Sequence, residues 1–273
     1  MKTCLVTGGA GSLGKILCHK LLLKDYKVRC MDINESALAS IGCSDENRFT
    51  AIYGDIRDYA RVNFAMTGCD YVIHTAAMKN LNVTEKNIPE INKTNITGTE
   101  NIMESAIQQK VKSAVMIGTD KAVDSTSAYG VSKCAGEWLW THGGRISDYT
   151  KFFIVRSGNF WISAGNVFEV WDKLYAQGEP LPLTDSRMMR YFIKTEDVAD
   201  LVIDSLSFGK TGDIIIPKMV EYNMKELLDE MYPNAEVSIT GLRQGECLSH
   251  NLVNPDENLI SDHDTYSIYR KGV

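Results

Sequence analysis

Short apolar runs alternate along the first 156 residues with stretches whose apolar positions recur every three to four residues. Thr3-Cys4-Leu5-Val6-Thr7 reads as a strand, and Leu13, Ile16, Leu17, Leu21 and Leu22 fall on one face of the helix after it. Residues 27–31, 49–53, 71–74, 111–117 and 152–156 are five further strand-length runs, and 91–109 and 126–142 carry helical spacing. Strands separated by helices are joined by right-handed crossovers and lie parallel. The pattern predicts an α/β fold with a doubly wound parallel sheet.

Past residue 156 the regularity breaks. Ser157-Gly158-Asn159-Phe160 opens an irregular region with Gly165-Asn166, followed by a helix over 167–176. A polar loop with Arg187 and Arg190 leads into a strand ending at Ile193, and Thr195-Glu196-Asp197 is positioned to cap a helix running to Leu206. Gly241-Leu242-Arg243-Gln244-Gly245-Glu246 forms a late loop. No internal repeat or Pro/Ser-rich linker separates these parts, so a smaller lobe is expected to be interwoven with the larger domain. The boundaries read as 1–156 for the large domain, with 190–216 returning to it, and 157–189 with 217–273 for the lobe.

Composition narrows the chemistry. The 273 residues are 44% hydrophobic and 23% charged, enough for a large core. A net charge of −6 without any basic run argues against a nucleic-acid partner. The seven cysteines (4, 18, 30, 43, 69, 134 and 247) are odd in number and contain no Cys-x-x-Cys, which points to neither a disulfide framework nor a metal site. With no span-length apolar stretch and no secretory pattern at Met1, the expectation is a cytoplasmic protein without membrane insertion.

Between the first strand and first helix stands Gly8-Gly9-Ala10-Gly11-Ser12-Leu13-Gly14. Glycines at 8, 11 and 14 let backbone approach a pyrophosphate, with the amides at the helix start, around Ser12 and Leu13, holding the anion. Asp32, at the end of the second run, is spaced to bond an adenosine ribose, and no Arg follows it to receive a 2′-phosphate; NAD is favoured, with NADP the alternative. Asp55 and Ile56 follow the third strand, where adenine would lie. Ala76 and Ala77 are small enough for backbone to pass close to a cofactor, and Lys79 beyond them is a candidate for both cofactor and substrate. His74 reads as a satisfied strand-end histidine, and Asn95 as a buried amide supporting the cofactor site.

The densest chemistry lies in Gly118-Thr119-Asp120-Lys121 and Ser127-Ala128-Tyr129-Gly130-Val131-Ser132-Lys133. Tyr129 and Lys133, four apart, share a helix face. An ammonium beside a phenol lowers its pKa toward working pH and makes tyrosinate a credible base. Arginines converging from separated loops suit a diphosphate, whose oxygens match the guanidinium fork.

The glycine turn, Thr119-Asp120-Lys121-Ala122 and Tyr129-x-x-x-Lys133 resemble the extended short-chain dehydrogenase/reductases. More narrowly, they resemble the polysaccharide-biosynthesis type of nucleotide-sugar 4,6-dehydratase that acts on UDP-N-acetylglucosamine, commonly with inversion at carbon 5. The likeness continues through Lys93-Thr94-Asn95-Ile96-x-Gly98, Arg156-x-Gly158-Asn159, Thr184-Asp185-x-Arg187-Met188-x-Arg190 and Arg243-x-Gly245-Glu246. It implies a Rossmann fold and a homo-oligomer. By resemblance, Tyr129 takes the proton of the 4-hydroxyl, Lys133 supports it, and Thr119 steadies the oxygen at carbon 4. Lys121 removes the hydrogen at carbon 5 and Asp120 protonates the departing 6-hydroxyl. Lys79, Asn159, Arg187, Arg243 and Glu246 are the implied substrate contacts, to a UDP-linked sugar. The chain departs from the family at Ser163-Ala164-Gly165-Asn166 and at Cys247-Leu248-Ser249-His250. A 4-epimerase would need Tyr129 and Lys133 but not Asp120 or Lys121, and a noncatalytic NAD(P)-binding sensor would need only the glycine turn.

Overall fold

In a computed structural model that describes residues 1–42, 47–163 and 165–272, strand β1 (Thr3–Thr7) sends Cys4 and Val6 into one core and Leu5 into another, all fully buried. Cys43 and Ala164, named above, lie outside the described residues. The two-residue alternation repeats in β2 (Lys27–Asp32), β3 (Phe49–Tyr53), β4 (Tyr71–His74), β5 (Ser113–Thr119) and β6 (Lys151–Ser157). Val115, for instance, enters the first core, and Ala114 and Met116 the second. Strands buried on both faces must be apolar at nearly every position, which is why they read as continuous runs.

The remaining strands are β7 (Asn159–Phe160), β8 (Leu181–Leu183), β9 (Met189–Ile193), β10 (Ile214–Pro217), β11 (Val220–Asn223), β12 (Val237–Ile239), β13 (Glu257–Asp262) and β14 (Tyr266–Lys271). Among the described residues, nine strands form one sheet in the order β13-β14-β10-β6-β5-β4-β1-β2-β3. Neighbours from β3 to β10 pair in parallel, and β14 joins β10 antiparallel. Helices Ser12–Leu23 and Thr195–Phe208 fill the first core; Tyr59–Met66, Gly98–Gln108 and Ala128–Ile146 fill the second. This is the doubly wound parallel sheet of the Rossmann type. A third core, around Phe168, Trp171, Leu183, Phe192 and Leu228, holds the lobe together with the small sheets β11-β9-β7 and β12-β8.

Several expectations are corrected. Strand β9 pairs with β7 and β11 in the lobe, so the chain returns to the large domain only with helix Thr195–Phe208. The hairpin β13–β14, assigned above to the lobe, instead extends the large sheet, because β14 pairs with β10 and Glu257 reaches buried Arg156. Thr195 does not cap its helix: its hydroxyl donates to the Ile162 carbonyl at 2.9 Å, and the N-cap is Lys194 without a side-chain bond. The helical stretch at 91–109 is interrupted by a π turn over Asn92–Thr97, a feature that frequently marks functional sites.

Candidate active site

Strand order reverses between β1 and β4, and such a switch point opens a crevice at the carboxyl ends of parallel strands. A cavity of about 960 Å³ extends from it to the lobe, lined at one end by Gly8, Gly11 and Asp32 and at the other by Leu183, Phe192 and Arg243.

At the first end the backbone itself forms the wall. Gly8 has φ +67°, and a Cβ there would lie 2.6 Å from the Ala76 nitrogen, so only glycine fits. Gly11 stands at the N-cap of helix Ser12–Leu23 without a side-chain bond, so an anion here would meet the positive end of the helix. Ser12, Leu13 and Gly14 line the cavity beside it. Asp32 is held rigidly, Oδ2 accepting from the Ala10 amide at 3.0 Å and Oδ1 from Asn34 at 2.9 Å. Asp55, Ile56, Ala76, Ala77 and Lys79 complete this wall. Burial would raise the Asp55 carboxyl, but bonds from the Arg57 side chain and amide hold it below the ordinary range. Desolvation lowers the Lys79 amine, opposed by Glu169.

Asn95 does not line the cavity. It is 2% exposed, and its carboxamide is engaged by the Met78 amide (2.8 Å), the Met78 carbonyl (2.9 Å) and the Ser132 hydroxyl (2.9 Å). It braces the wall segment against the helix that carries Tyr129. Glu85, which the sequence reading passed over, braces the same helix by accepting from the Ala128 amide at 2.9 Å, while Ser127 accepts from Gly130 at 3.0 Å.

The reactive groups meet at the end of β5. Asp120 is fully buried; its Oδ1 accepts from the Thr119 hydroxyl at 2.9 Å and from Lys121 Nζ at 2.9 Å. Its Oδ2 is buried without a hydrogen bond among the described residues. Burial raises the Asp120 carboxyl, but the charges of Lys121 and His250 and the bonds from Lys121 and Thr119 outweigh it, so it is held below the usual range. Lys121 also donates to Asn159 Oδ1 at 3.1 Å. Thr119, Lys121, Tyr129 and Lys133 line the cavity.

The expected lowering of Tyr129 by Lys133 is corrected. Burial and then the Asp120 charge raise the phenol, with a Thr119 hydrogen bond opposing them. Lys133 Nζ is turned to the Ile117 carbonyl at 2.7 Å. Desolvation brings Lys133 down to about 8 despite the nearby Glu137.

At the lobe end, Asn159, Arg243 and Glu246 line the cavity, but Arg187 does not. Its side chain is 73% exposed and paired with Asp185 at 2.9 Å. Arg190 takes its place: 8% exposed, it donates to the carbonyls of Met189 (2.8 Å), Leu248 (3.0 Å) and Cys247 (2.8 Å) and lies 3.9 Å from Glu246. The signal was available, since Arg190 alternates with Phe192 on the buried face of β9. Burial lowers this guanidinium from its ordinary value, against the charges of Asp120 and Glu246.

His74 is buried and stacked on Trp140, with Thr7 and Thr99 on its two nitrogens, as a satisfied strand-end histidine. Among the described residues, no cluster of three or more His, Cys, Asp or Glu could hold a metal, and no helix is long and apolar enough to cross a membrane.

Known proteins resemble this chain along nearly its whole length. The family described as polysaccharide biosynthesis protein matches residues 4–271. The chain is 35% identical over 269 residues to the UDP-N-acetylglucosamine 4,6-dehydratase (inverting) of Campylobacter jejuni subsp. jejuni serotype O:23/36 (strain 81-176), covering 95% of this chain and 80% of the relative. It is 32% identical to the UDP-glucose 4-epimerase of Rickettsia rickettsii (strain Sheila Smith), covering 99% and 84%. The X-ray structure of Pen from Bacillus thuringiensis superposes with a TM-score of 0.92 at 30% identity, covering 99% of this chain and 88% of that one. The chain belongs to the polysaccharide biosynthesis protein family, among the nucleotide-sugar dehydratases and epimerases of the extended short-chain dehydrogenase/reductases.

Proposed function

We propose that this protein is a nucleotide-sugar 4,6-dehydratase that converts UDP-N-acetylglucosamine to a 4-keto-6-deoxy sugar, with inversion at carbon 5. The observation that carries the proposal is the Asp120–Lys121 contact of 2.9 Å at the end of β5, beside Tyr129. The glycine cradle at Gly8 and the uncapped helix start fit the pyrophosphate of NAD, with Gly11, Ser12, Leu13 and Gly14 around it. Asp32 would hold the adenosine ribose, Asp55 and Ile56 the adenine, and Tyr129 and Lys133 the nicotinamide ribose; Ala76, Ala77 and Lys79 would form the wall between. When bound, NAD supplies the reversible two-electron oxidation of carbon 4 that is returned at carbon 6.

The chain's own groups manage protons. Transfer of one proton from Lys121 Nζ to Asp120 Oδ1 yields a neutral amine and a carboxylic acid together, the base and acid that elimination requires. It also removes the Asp120 charge that helps to raise Tyr129, so that the phenolic proton is released to solvent through the cavity that Tyr129 lines. Tyr129 then accepts the proton of the 4-hydroxyl, with Thr119 donating to the oxygen at carbon 4. Lys121 takes the hydrogen at carbon 5 and Asp120 protonates the leaving 6-hydroxyl, giving water. These two transfers restore ammonium and carboxylate. Lys121 next returns a proton to carbon 5, and the proton that Tyr129 took from the 4-hydroxyl passes to Asp120, which readies the site again. Asn159, Arg190, Arg243 and Glu246 bind the nucleoside diphosphate in this scheme.

Incubation with UDP-N-acetylglucosamine in heavy water tests the proposal. The expected product is lighter by one water and carries deuterium at carbon 5. Asp120→Asn and Lys121→Ala should stop elimination while reduced cofactor still accumulates transiently. An unlabelled isomer of unchanged mass would overturn the dehydratase in favour of a 4-epimerase, the reading that the Rickettsia relative's name favours. Absence of any nucleotide-sugar binding would favour a sensor. The exposed outer face of helix Ala128–Ile146, with Val131, Trp138 and Ile146, supports a homo-oligomer, which light scattering would measure.

A further inference from the structure

A buried ionic cluster outside the reacting groups joins the C-terminal hairpin to the helix of Tyr129 and Lys133. The guanidinium of Arg156 is 0% exposed, and each of its five N–H donors has an acceptor. Nε donates to Glu137 Oε1 (3.2 Å) and Nη2 to Glu137 Oε2 (2.5 Å). Nη1 and Nη2 donate to the two Glu257 oxygens at 2.7 and 2.8 Å, and Nη1 also to the Leu252 carbonyl at 2.8 Å. Glu257 is fixed in turn by the Asn254 amide and carboxamide, both at 2.9 Å.

Two carboxylates around one guanidinium leave the cluster with a net charge of −1. Glu137 lies four residues beyond Lys133 on the same helix face. It also presses on the strand that Lys133 grips: Lys133 Nζ holds the Ile117 carbonyl at 2.7 Å, and a Cβ on Gly118 would lie 2.6 Å from Glu137 Oε1. Both side chains therefore bear on the Ile117-Gly118 backbone that presents Thr119, Asp120 and Lys121. The other titratable groups around Lys133 are His74 on β4, which feels the Lys133 charge, and Tyr129 on its own helix, which feels both Asp120 and Glu137.

We propose that Glu257, acting through Arg156 and Glu137, is a positioning residue that holds Lys133 in its ammonium form against the end of β5, making the C-terminal hairpin part of the active-site frame. By occupying half of the guanidinium, Glu257 leaves Glu137 with negative charge for Lys133. Without the Glu257 charge the cluster is neutral, and the desolvated ammonium loses its counter-charge.

Lys133 lines the cavity, so trace acetylation with acetic anhydride, resolved by mass spectrometry of its peptide across pH 6 to 10, reads its titration directly. Wild type should titrate near 8. E257Q should titrate about one unit lower, and R156M/E257Q, which strips the guanidinium from Glu137, above wild type. Glu257→Asp, which keeps the charge, should restore the wild-type curve. A Lys133 titration that does not move in whichever of E257Q and R156M/E257Q folds would reduce Glu257 to a scaffold residue and overturn the proposal. The proposal rests on the reading of Lys133 as part of the hydride-transfer site. The titration needs no turnover, so inactivity toward UDP-N-acetylglucosamine would count against that reading and not against the coupling.

Discussion

His74 makes the fold acid-sensitive in a way that one substitution should reveal. The Thr99 hydroxyl donates to the Asn95 carbonyl at 2.7 Å, so its oxygen is left to accept from His74 Nε2 at 3.0 Å. Nδ1 then accepts from the Thr7 hydroxyl at 2.8 Å, which fixes the neutral Nε2–H tautomer. A second proton, on Nδ1, would face the Thr7 donor inside a fully buried site. Desolvation, with a smaller contribution from the Lys133 charge, lowers this imidazole to about 3. A depressed folded-state pKa means that stability is complete above the unfolded value of 6.5 and declines as pH falls toward 3. At 1.36 kcal/mol per unit, the drop from pH 6.5 to 4.5 costs about 2.5 kcal/mol, a large share of a typical domain's 5–15 kcal/mol. Urea unfolding at pH 7.5 and 4.5, followed by tryptophan fluorescence, measures it. His74→Gln, which keeps a donor and cannot charge, should start less stable but lose about 2.5 kcal/mol less on acidification. Equal pH dependence in the two proteins would refute the buried neutral histidine.

Activity should fall as pH rises through about 8, where Lys133 loses its proton, about tenfold per unit on the alkaline limb of a kcat/KM profile; a flat profile to pH 9.5 would sink the ammonium role. Arg190→Gln should weaken UDP binding about tenfold or more by calorimetry, since a buried guanidinium bonded to a phosphate contributes about 1.5–3 kcal/mol, whereas Arg187→Ala, exposed and paired with Asp185, should change it less than about twofold. Glu85→Ala removes the acceptor for the Ala128 amide and should cost about 1 kcal/mol in urea unfolding, with Glu85→Gln retaining most of it.

The parts of this protein that the sequence made legible are those whose function is carried by neighbours in the chain. Asp120, Lys121, Tyr129 and Lys133 fall within fourteen positions, and a strand end followed by a helix brings them together whatever the distant packing does. The cradle from Gly8 to Gly14 is equally local, and strands buried on both faces betrayed themselves by being apolar throughout. What was missed depends on the third dimension. Arg187 and Arg190 stand three apart in one polar stretch, and they part company where β9 begins: Arg190 falls on its buried face with Phe192, while Arg187 stays in the exposed loop before it. The hairpin at 257–271 has an edge-strand composition that fits either sheet; a long-range ion pair between Glu257 and Arg156 accompanies its docking.

Charge states were the least legible of all, because a titration is decided by everything that surrounds a group. The i, i+4 spacing of Tyr129 and Lys133 correctly put a phenol and an ammonium on one helix face, yet spacing says nothing of which way the ammonium points. Here it points to the Ile117 carbonyl, and the phenol faces the charge of Asp120 instead. The resting site therefore holds its proton on Tyr129 and its negative charge on Asp120, the reverse of what abstraction at the 4-hydroxyl needs. A proton moved onto Asp120 from Lys121, 2.9 Å away, removes that charge, after which the phenolic proton can leave to solvent. On this view the Asp-Lys pair primes the hydride-transfer step as well as the elimination, so Asp120→Asn, uncharged from the start, should speed the first oxidation of the sugar while abolishing loss of water. Stopped-flow absorbance of the reduced cofactor would separate the two; a first phase left unchanged while dehydration is lost would mean that Asp120 acts only in elimination.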